Sequence, residues 1–295
     1  MLPVYRYPEK LISKKSFFEK FSIEGVDFEQ SGLDWNDLKA IYLDYSSWWG
    51  QLFPAAQFIA NTLSIQPGVH AVRHRVKDPE HLIEKIIRRS KEQRGPWANL
   101  KDYKTIASDL IGVRALHLFK DDWLPVNNAI RKHWNLKRVP VANVRESDPN
   151  YIIKEFKNAG CKVELRDSGY RSVHYEICAQ IAKKIVAVEI QVRTLFEEAW
   201  GESSHRVQYP YFQASNLMQM YLEQMSHVAG LGDSLGSVTI ALRRLGNALN
   251  EKEAASSQDK KKFNERLEHV KQMFKIVGVF PENSQTEADK KRKQR

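Results

Sequence analysis

Apolar and polar positions alternate strictly over residues 188–194, where Val188, Ile190 and Val192, with Val186 ahead of them, interleave with Glu189, Gln191 and Arg193. Strand side chains project alternately to opposite faces, so the segment predicts a strand with one apolar face and one row carrying a carboxylate, an amide and a guanidinium. A second alternating strand is predicted behind Gly169, with Tyr170, Ser172 and His174 on one side. A third apolar strand is predicted through Phe119, with Asp109 at its entrance. An unbroken strand over 109–119 would turn Asp109 and Arg114 to opposite faces, so Asp109 is expected in the preceding turn or a bulge. Asp78-Pro79 predicts a helix start, an Asp cap followed by proline in the first turn. Asp148-Pro149 opens another helix running to Ala159, closed by Gly160 and followed by a short strand. Residues 34–64, with Trp35, Trp48, Trp49, Phe53 and Phe58 among their spaced apolar positions, predict a packed helical segment ahead of the sheet. Residues 214–249 and roughly 259–277 read as further helices, separated by polar Glu251–Asp259.

Composition narrows the class. At 295 residues the chain can bury a full core. Its two cysteines, Cys161 and Cys178, have no Cys-x-x-Cys or histidine-rich context, so neither a zinc site nor a disulfide framework is implied. No apolar stretch approaches the ~18 residues of a membrane span, and Met1–Pro8 lacks a signal-peptide core. A cytoplasmic protein with no membrane partner is expected. The net charge of +10 permits polyanion binding, although part of it lies in the tail Lys290–Arg295, behind a polar stretch, where disorder is expected.

Four segments carry candidate chemistry. Glu189 beside Arg193 on a rigid strand suits proton transfer or phosphate chemistry. Asp109 can hold Mg²⁺, which takes one or two carboxylates plus substrate phosphates. Arg75, Lys77, Lys85 and Arg88 gather near a helix start, a cradle for a polyphosphate. Tyr170 offers a stacking platform for a nucleobase. Each segment also has a structural reading: a solvated ion pair, a turn aspartate, a charged helix face, a sheet tyrosine packed on a helix.

In chain order, Arg75-Val76-Lys77, Asp109-x-x-Gly112-x-Arg114, Gly169-Tyr170-Arg171-Ser172-x-His174, Glu189-Ile190-Gln191-Val192-Arg193-Thr194 and a following Trp200…His205…Tyr209 resemble the synthetase domain of the RelA/SpoT family. The resemblance spans roughly residues 70–210 and is strongest to the compact small alarmone synthetases. It implies an α+β fold, a mixed central β-sheet flanked by helices, with a helical N-terminal extension (1–65), a synthetase domain (66–210), a helical C-terminal extension (211–280) and a basic tail (281–295). It implies transfer of pyrophosphate from ATP to the 3′-hydroxyl of a guanine nucleotide, GDP or GTP, releasing AMP, with Mg²⁺ as cofactor. By the same resemblance Arg75 and Arg114 flank the adenine, and Lys77, Lys85 and Arg88 hold the ATP phosphates. Asp109 and Glu189 bind the metal, and Glu189 draws the proton from the acceptor hydroxyl. Tyr170, Arg171, His174, Gln191, Arg193, Glu198 and His205 border the acceptor.

Some family members use adenine nucleotides or the 3′ end of tRNA as acceptor and act as toxins, which would bring an antitoxin partner. A non-catalytic nucleotide- or RNA-binding module is the remaining alternative. Two positions depart from the family pattern and leave the acceptor open: Glu198, where an amide is usual, and Ser204, where a glutamate precedes the histidine. The stretch ahead of Arg75 is too short for the hydrolase domain of long members, so product degradation is not expected. Compact members assemble through terminal helices, which implies a homo-oligomer. With the motifs ending near Tyr209, the fold is expected to survive removal of residues 259–295.

Overall fold

The computed structural model describes residues 12–146, 148–166, 169–208, 216–250 and 257–277. Four helices come first: α1 (Lys14–Phe21), α2 (Gly25–Gln30), α3 (Trp35–Trp48) and α4 (Leu52–Ser64). Then follow β1 (Ala71–Val76), α5 (Pro79–Gln93), α6 (Tyr103–Ile106), β2 (Ile111–His117), α7 (Trp123–His133), β3 (Val141–Val144), α8 (Asn150–Asn158) and β4 (Lys162–Leu165). The chain continues through β5 (Ser172–Ile181), β6 (Lys184–Thr194), α9 (Leu195–Gln208), α10 (Asn216–Asn250) and α11 (Ser257–Val277). The six strands form one mixed sheet in the order β1-β2-β6-β5-β3-β4. β2 runs parallel to β6 and β3 to β4, and the other pairs are antiparallel. This is the expected α+β class.

Register sorts the side chains onto two faces. Val113, Ile190 and Tyr175 are aligned across β2, β6 and β5, as are Ile111, Val188 and Ile177, and all six are buried. Burying one such side chain fully contributes about 1.5–3 kcal/mol, so these rows fix the register: a one-residue slip would turn them to the other face. The opposite face carries the polar rows Arg75, Gly112, Glu189, Glu176 and Arg73, Arg114, Gln191, His174. A strand buried on one side thus necessarily presents its chemistry on the other.

The N-terminal helices share the core of the sheet: Phe17, Leu38, Tyr45, Trp48, Leu52 and Leu63 belong to the same buried cluster as Val113 and Ile190. Tyr45 Oη and Trp49 Nε1 both donate to the Lys77 carbonyl, at 2.9 and 2.8 Å, and so fix the turn leading from β1 into α5. That helix starts as its sequence predicts, with Asp78 accepting from the amides of Glu80 and His81 and Pro79 opening its first turn. Leu82, Ile83, Ile86 and Ile87 repeat at helical spacing and are its buried face.

Asp109 lies in the turn before β2, as expected, but the strand ends at His117, short of Phe119. Tyr170 likewise precedes its strand, which begins at Ser172. Part of α11 packs on the rest of the chain: Arg266 pairs with Asp121 at 2.6 Å, and His269 and Val270 are buried. Among the described residues no helix is long and apolar enough to cross a membrane. Tyr209, Met1–Pro8 and the basic tail lie outside the described residues.

Candidate active site

The polar face is organised around two carboxylates. Asp109 accepts from Lys77 Nζ at 2.9 Å and Lys85 Nζ at 2.7 Å, an ammonium on each oxygen. Burial alone would raise its pKa, but the two lysines outweigh that and hold the carboxyl well below the usual carboxylate range. Lys77 is shifted down by burial, with Asp109 acting against that shift. Glu189 sits across the sheet from Gly112 and accepts from Gln191 Nε2 at 2.8 Å, while His174 Nδ1 lies 3.3 Å from its other oxygen. Burial raises Glu189 as well, yet the contact with His174 leaves it below the ordinary glutamate value. Tyr170 Oη and His174 Nε2 are 2.9 Å apart, so Tyr170, His174, Glu189 and Gln191 form one hydrogen-bonded row.

A cleft of about 160 Å³ opens on this face, lined by Arg75, Gly112, Arg114, Glu189, Gln191 and His205 among others. Gly112 is there for space. A Cβ at this position would meet Arg75 Nε at 3.4 Å and Cγ at 3.5 Å, so the Arg75 side chain packs directly over the glycine. Asp109 and Glu189 can supply oxygen ligands to a hard cation whose shell substrate phosphates would complete. Among the described residues no cluster of three or more His, Cys, Asp or Glu is built to hold a metal without such help.

Several expected site residues stand elsewhere. Arg88 is not drawn in with Lys77 and Lys85: it lies along α5, paired with Glu84 at 3.0 Å and Glu92 at 3.3 Å. Arg171 does not line the cleft. It is buried on Asp148 at 3.1 Å and Asp233 at 3.5 Å, because α10 delivers a counterion from 62 residues away that no local pattern announces. Arg193 is sealed beneath Glu198, against Gly201, where an added Cβ would lie 2.6 Å from its Nη1. Glu198 contacts neither Tyr170 nor His174 among the hydrogen bonds formed; it pairs with Arg73 at 3.1 Å, Arg114 at 3.2 Å and with Arg193. It thus bridges Arg114, on the side the resemblance gives to ATP, and Arg193, on the acceptor side.

Two residues escaped the sequence reading. Glu202, one turn after Glu198, pairs with Arg114 and, at 3.6 Å, with Arg73, a pairing the i, i+4 spacing could have signalled. Glu176 lies directly opposite Glu189 and pairs with Lys137 at 3.7 Å and with Arg138. Continuing the alternation from His174 would have found it.

Residues 74–214 match the model for a region found in RelA / SpoT proteins. GTP pyrophosphokinase YwaC of Bacillus subtilis (strain 168) is 26% identical over 146 residues, which cover 48% of this chain and 59% of that protein. The chain thus aligns with little more than half the length of this curated relative. Among solved structures, a GTP pyrophosphokinase family protein from Streptococcus pneumoniae superimposes with a TM-score of 0.50 at 19% identity, covering 76% of this chain and 98% of the other. Small alarmone synthetase 1 from Bacillus subtilis also gives 0.50, at 20% identity, covering 70% and 98%. These two share the fold, and the matched region contains the polar sheet face and its cleft. Residues 74–214 are thus similar to the region found in RelA / SpoT proteins, and the two solved structures share the fold.

Proposed function

We propose that the protein is an ATP-dependent pyrophosphokinase that moves the β,γ-pyrophosphate of ATP to the 3′-hydroxyl of a guanine nucleotide. The observation that carries this reading is the pairing, on one open sheet face, of an ionised Glu189 with a carboxylate, Asp109, held between two lysines. Phosphoryl transfer asks mainly for positioning and neutralisation of charge. Lys77 and Lys85 are pre-gathered at one point, and a polyphosphate arriving there competes with Asp109 for both ammonium groups. Asp109 and Glu189 would hold Mg²⁺, which would supply neutralisation of phosphate charge. Arg75 and Arg114 flank the cleft where the adenine is placed. Glu189 takes the proton of the acceptor 3′-hydroxyl, whose oxygen bonds to the β-phosphorus as the α–β bridge breaks and AMP leaves. Tyr170 stacks on the acceptor base, and His174 links it to Glu189.

Glu198 pairs both with Arg114, on the ATP side, and with Arg193, on the acceptor side, so its departure from the family pattern leaves the acceptor to be decided by assay. Incubation with γ-labelled ATP and Mg²⁺ against GDP, GTP, ADP, ATP and bulk tRNA tests the reading: label should enter GDP or GTP with equimolar AMP. Transfer to ADP, ATP or tRNA alone would replace the acceptor. Glu189→Gln keeps the shape and removes the charge, and should lower turnover by at least ~10²-fold, the low end for a general base.

A further inference from the structure

Tyr170 is held from both sides by groups it does not touch. Before it, Gly169 adopts φ +71°, and its carbonyl accepts from Arg145 Nε at 2.6 Å and from Ser226 Oγ of α10 at 3.4 Å. After it, Arg171 is anchored to Asp148 and Asp233. The two anchors are joined. Arg145 Nη2 donates to both oxygens of Glu197, at 2.7 and 2.5 Å, and its amide donates to Asp148 Oδ2 at 2.9 Å. Trp200 lies under the Arg145 guanidinium at 5.8 Å, and its Nε1 donates to the Leu222 carbonyl of α10. Arg145, Asp148, Arg171, Glu197 and Asp233 are all buried. In such a network any member left alone would be an unpaired buried charge, so the members hold one another in place.

We infer that Arg145, braced by Glu197 and backed by Ser226, is the positioning residue that sets the Gly169-Tyr170 turn, so that α10 takes part in acceptor binding without touching the acceptor. The inference rests on the reading of Tyr170 as the acceptor platform. Arg145 uses separate nitrogens for the turn and for Glu197, a fork that lysine cannot reproduce. The contact with α10 is equally tight: a Cβ on Gly169 would fall 2.5 Å from Ser226 Oγ.

Steady-state kinetics and amide hydrogen exchange on the full chain test this together. Arg145→Lys keeps a cation for Glu197 and gives up the turn. It should raise the KM for the acceptor about 10-fold, up to the ~10²-fold that a 1 Å misplacement can cost, and leave the KM for ATP unchanged. Amides at 169–172 should exchange faster, with those of β2 and β6 unaffected. Gly169→Ala should raise the acceptor KM in the same way, and adding Ser226→Ala should recover part of the loss, since the second change removes the atom that the new methyl meets. Equal shifts in both KM values, or unaltered acceptor KM and exchange in folded Arg145→Lys, would overturn the inference. If Arg145→Lys does not fold, Ser226→Ala alone decides the matter: an acceptor KM and an exchange at 169–172 that both stay at the wild-type level would overturn the inference. If the wild-type protein forms no AMP with any acceptor, the proposed function fails instead, and the exchange at 169–172 still judges the pinned turn.

Discussion

Two carboxylate–cation clusters in this molecule use the same chemistry to opposite ends. In the turn before β2, Asp109 sits between Lys77 and Lys85 with all three side chains 10–14% exposed. At the far end of the sheet, Arg145, Arg171, Glu197 and Asp233 have side chains only 0–8% exposed. The first cluster is more open than the second, so a polyphosphate can reach its lysines and exchange for the carboxylate. The second has no such exchange open to it: removing a partner strands a buried charge. Accessibility, more than ion-pair geometry, separates a site from a strut. Arg171 and Lys77 are both motif residues, yet they fall on opposite sides of that division.

The sharpest way to break the comparison is to delete one member of each cluster and measure stability and kinetics side by side. Arg171→Ala leaves Asp148 and Asp233 facing one another and should destabilise the protein by about 3–5 kcal/mol in denaturant unfolding. Lys77→Ala leaves Asp109 with Lys85 and should cost less stability than Arg171→Ala, while raising the apparent constant for ATP at least ~10-fold. A similar stability loss in both variants would erase the distinction between site and strut.

The clusters should also answer pH with opposite signs. Asp109 is depressed in the folded state, so its contribution is fully present above its unfolded pKa of 3.8 and is lost as pH falls through the lower folded value. Glu197 is pushed up by burial to about 7 despite Arg145 and Arg171, against 4.5 in its ordinary state. The folded chain therefore holds a proton there that the unfolded chain has released. This group's contribution falls as pH rises from about 4.5 to about 7. Glu197→Gln mimics the protonated form and should flatten that slope in unfolding curves taken across the window. An unchanged slope would mean that Glu197 is ionised throughout.

The difference between the clusters also explains what could be read from the chain. The alternation of Val188, Glu189, Ile190 and Gln191 is local, and it gave the strand, its apolar face and the candidate base together. Gly112 with Arg114, and Asp78 with Pro79, are equally local and stand where expected. Arg171 and Arg193 belong to the same motifs, and nothing local marks them as buried. Their surroundings come from Asp233 and Glu198 on helices whose packing is set by distant contacts. Arg88 shares a helix with Lys85 and was grouped with it, but its own neighbours Glu84 and Glu92, one turn away on either side, hold it along the helix. The turn at Gly169 was visible as a glycine, whereas the residues that pin it, Arg145 and Ser226, carry no motif.

The smallest expected effect lies at the junction of the two regions. Tyr170 reaches His174 through its hydroxyl, 2.9 Å away, and its ring stands edge-on to the imidazole at 5.7 Å. Stacking on a base needs the ring, and orienting His174 toward Glu189 needs the hydroxyl, so the two roles separate by substitution. Tyr170→Ala should lose both, with about 1–3 kcal/mol of acceptor stacking gone. Tyr170→Phe keeps the ring and forfeits one hydrogen bond, about 0.5–1.5 kcal/mol, and that loss should fall on kcat, since the bond leads to the base. Paired measurements of kcat and acceptor KM in the two variants decide it. If Tyr170→Phe raised the acceptor KM as far as Tyr170→Ala does, the hydroxyl would be holding the acceptor itself, and the hydrogen-bonded row from Tyr170 to Glu189 would be a consequence of packing with no part in proton removal.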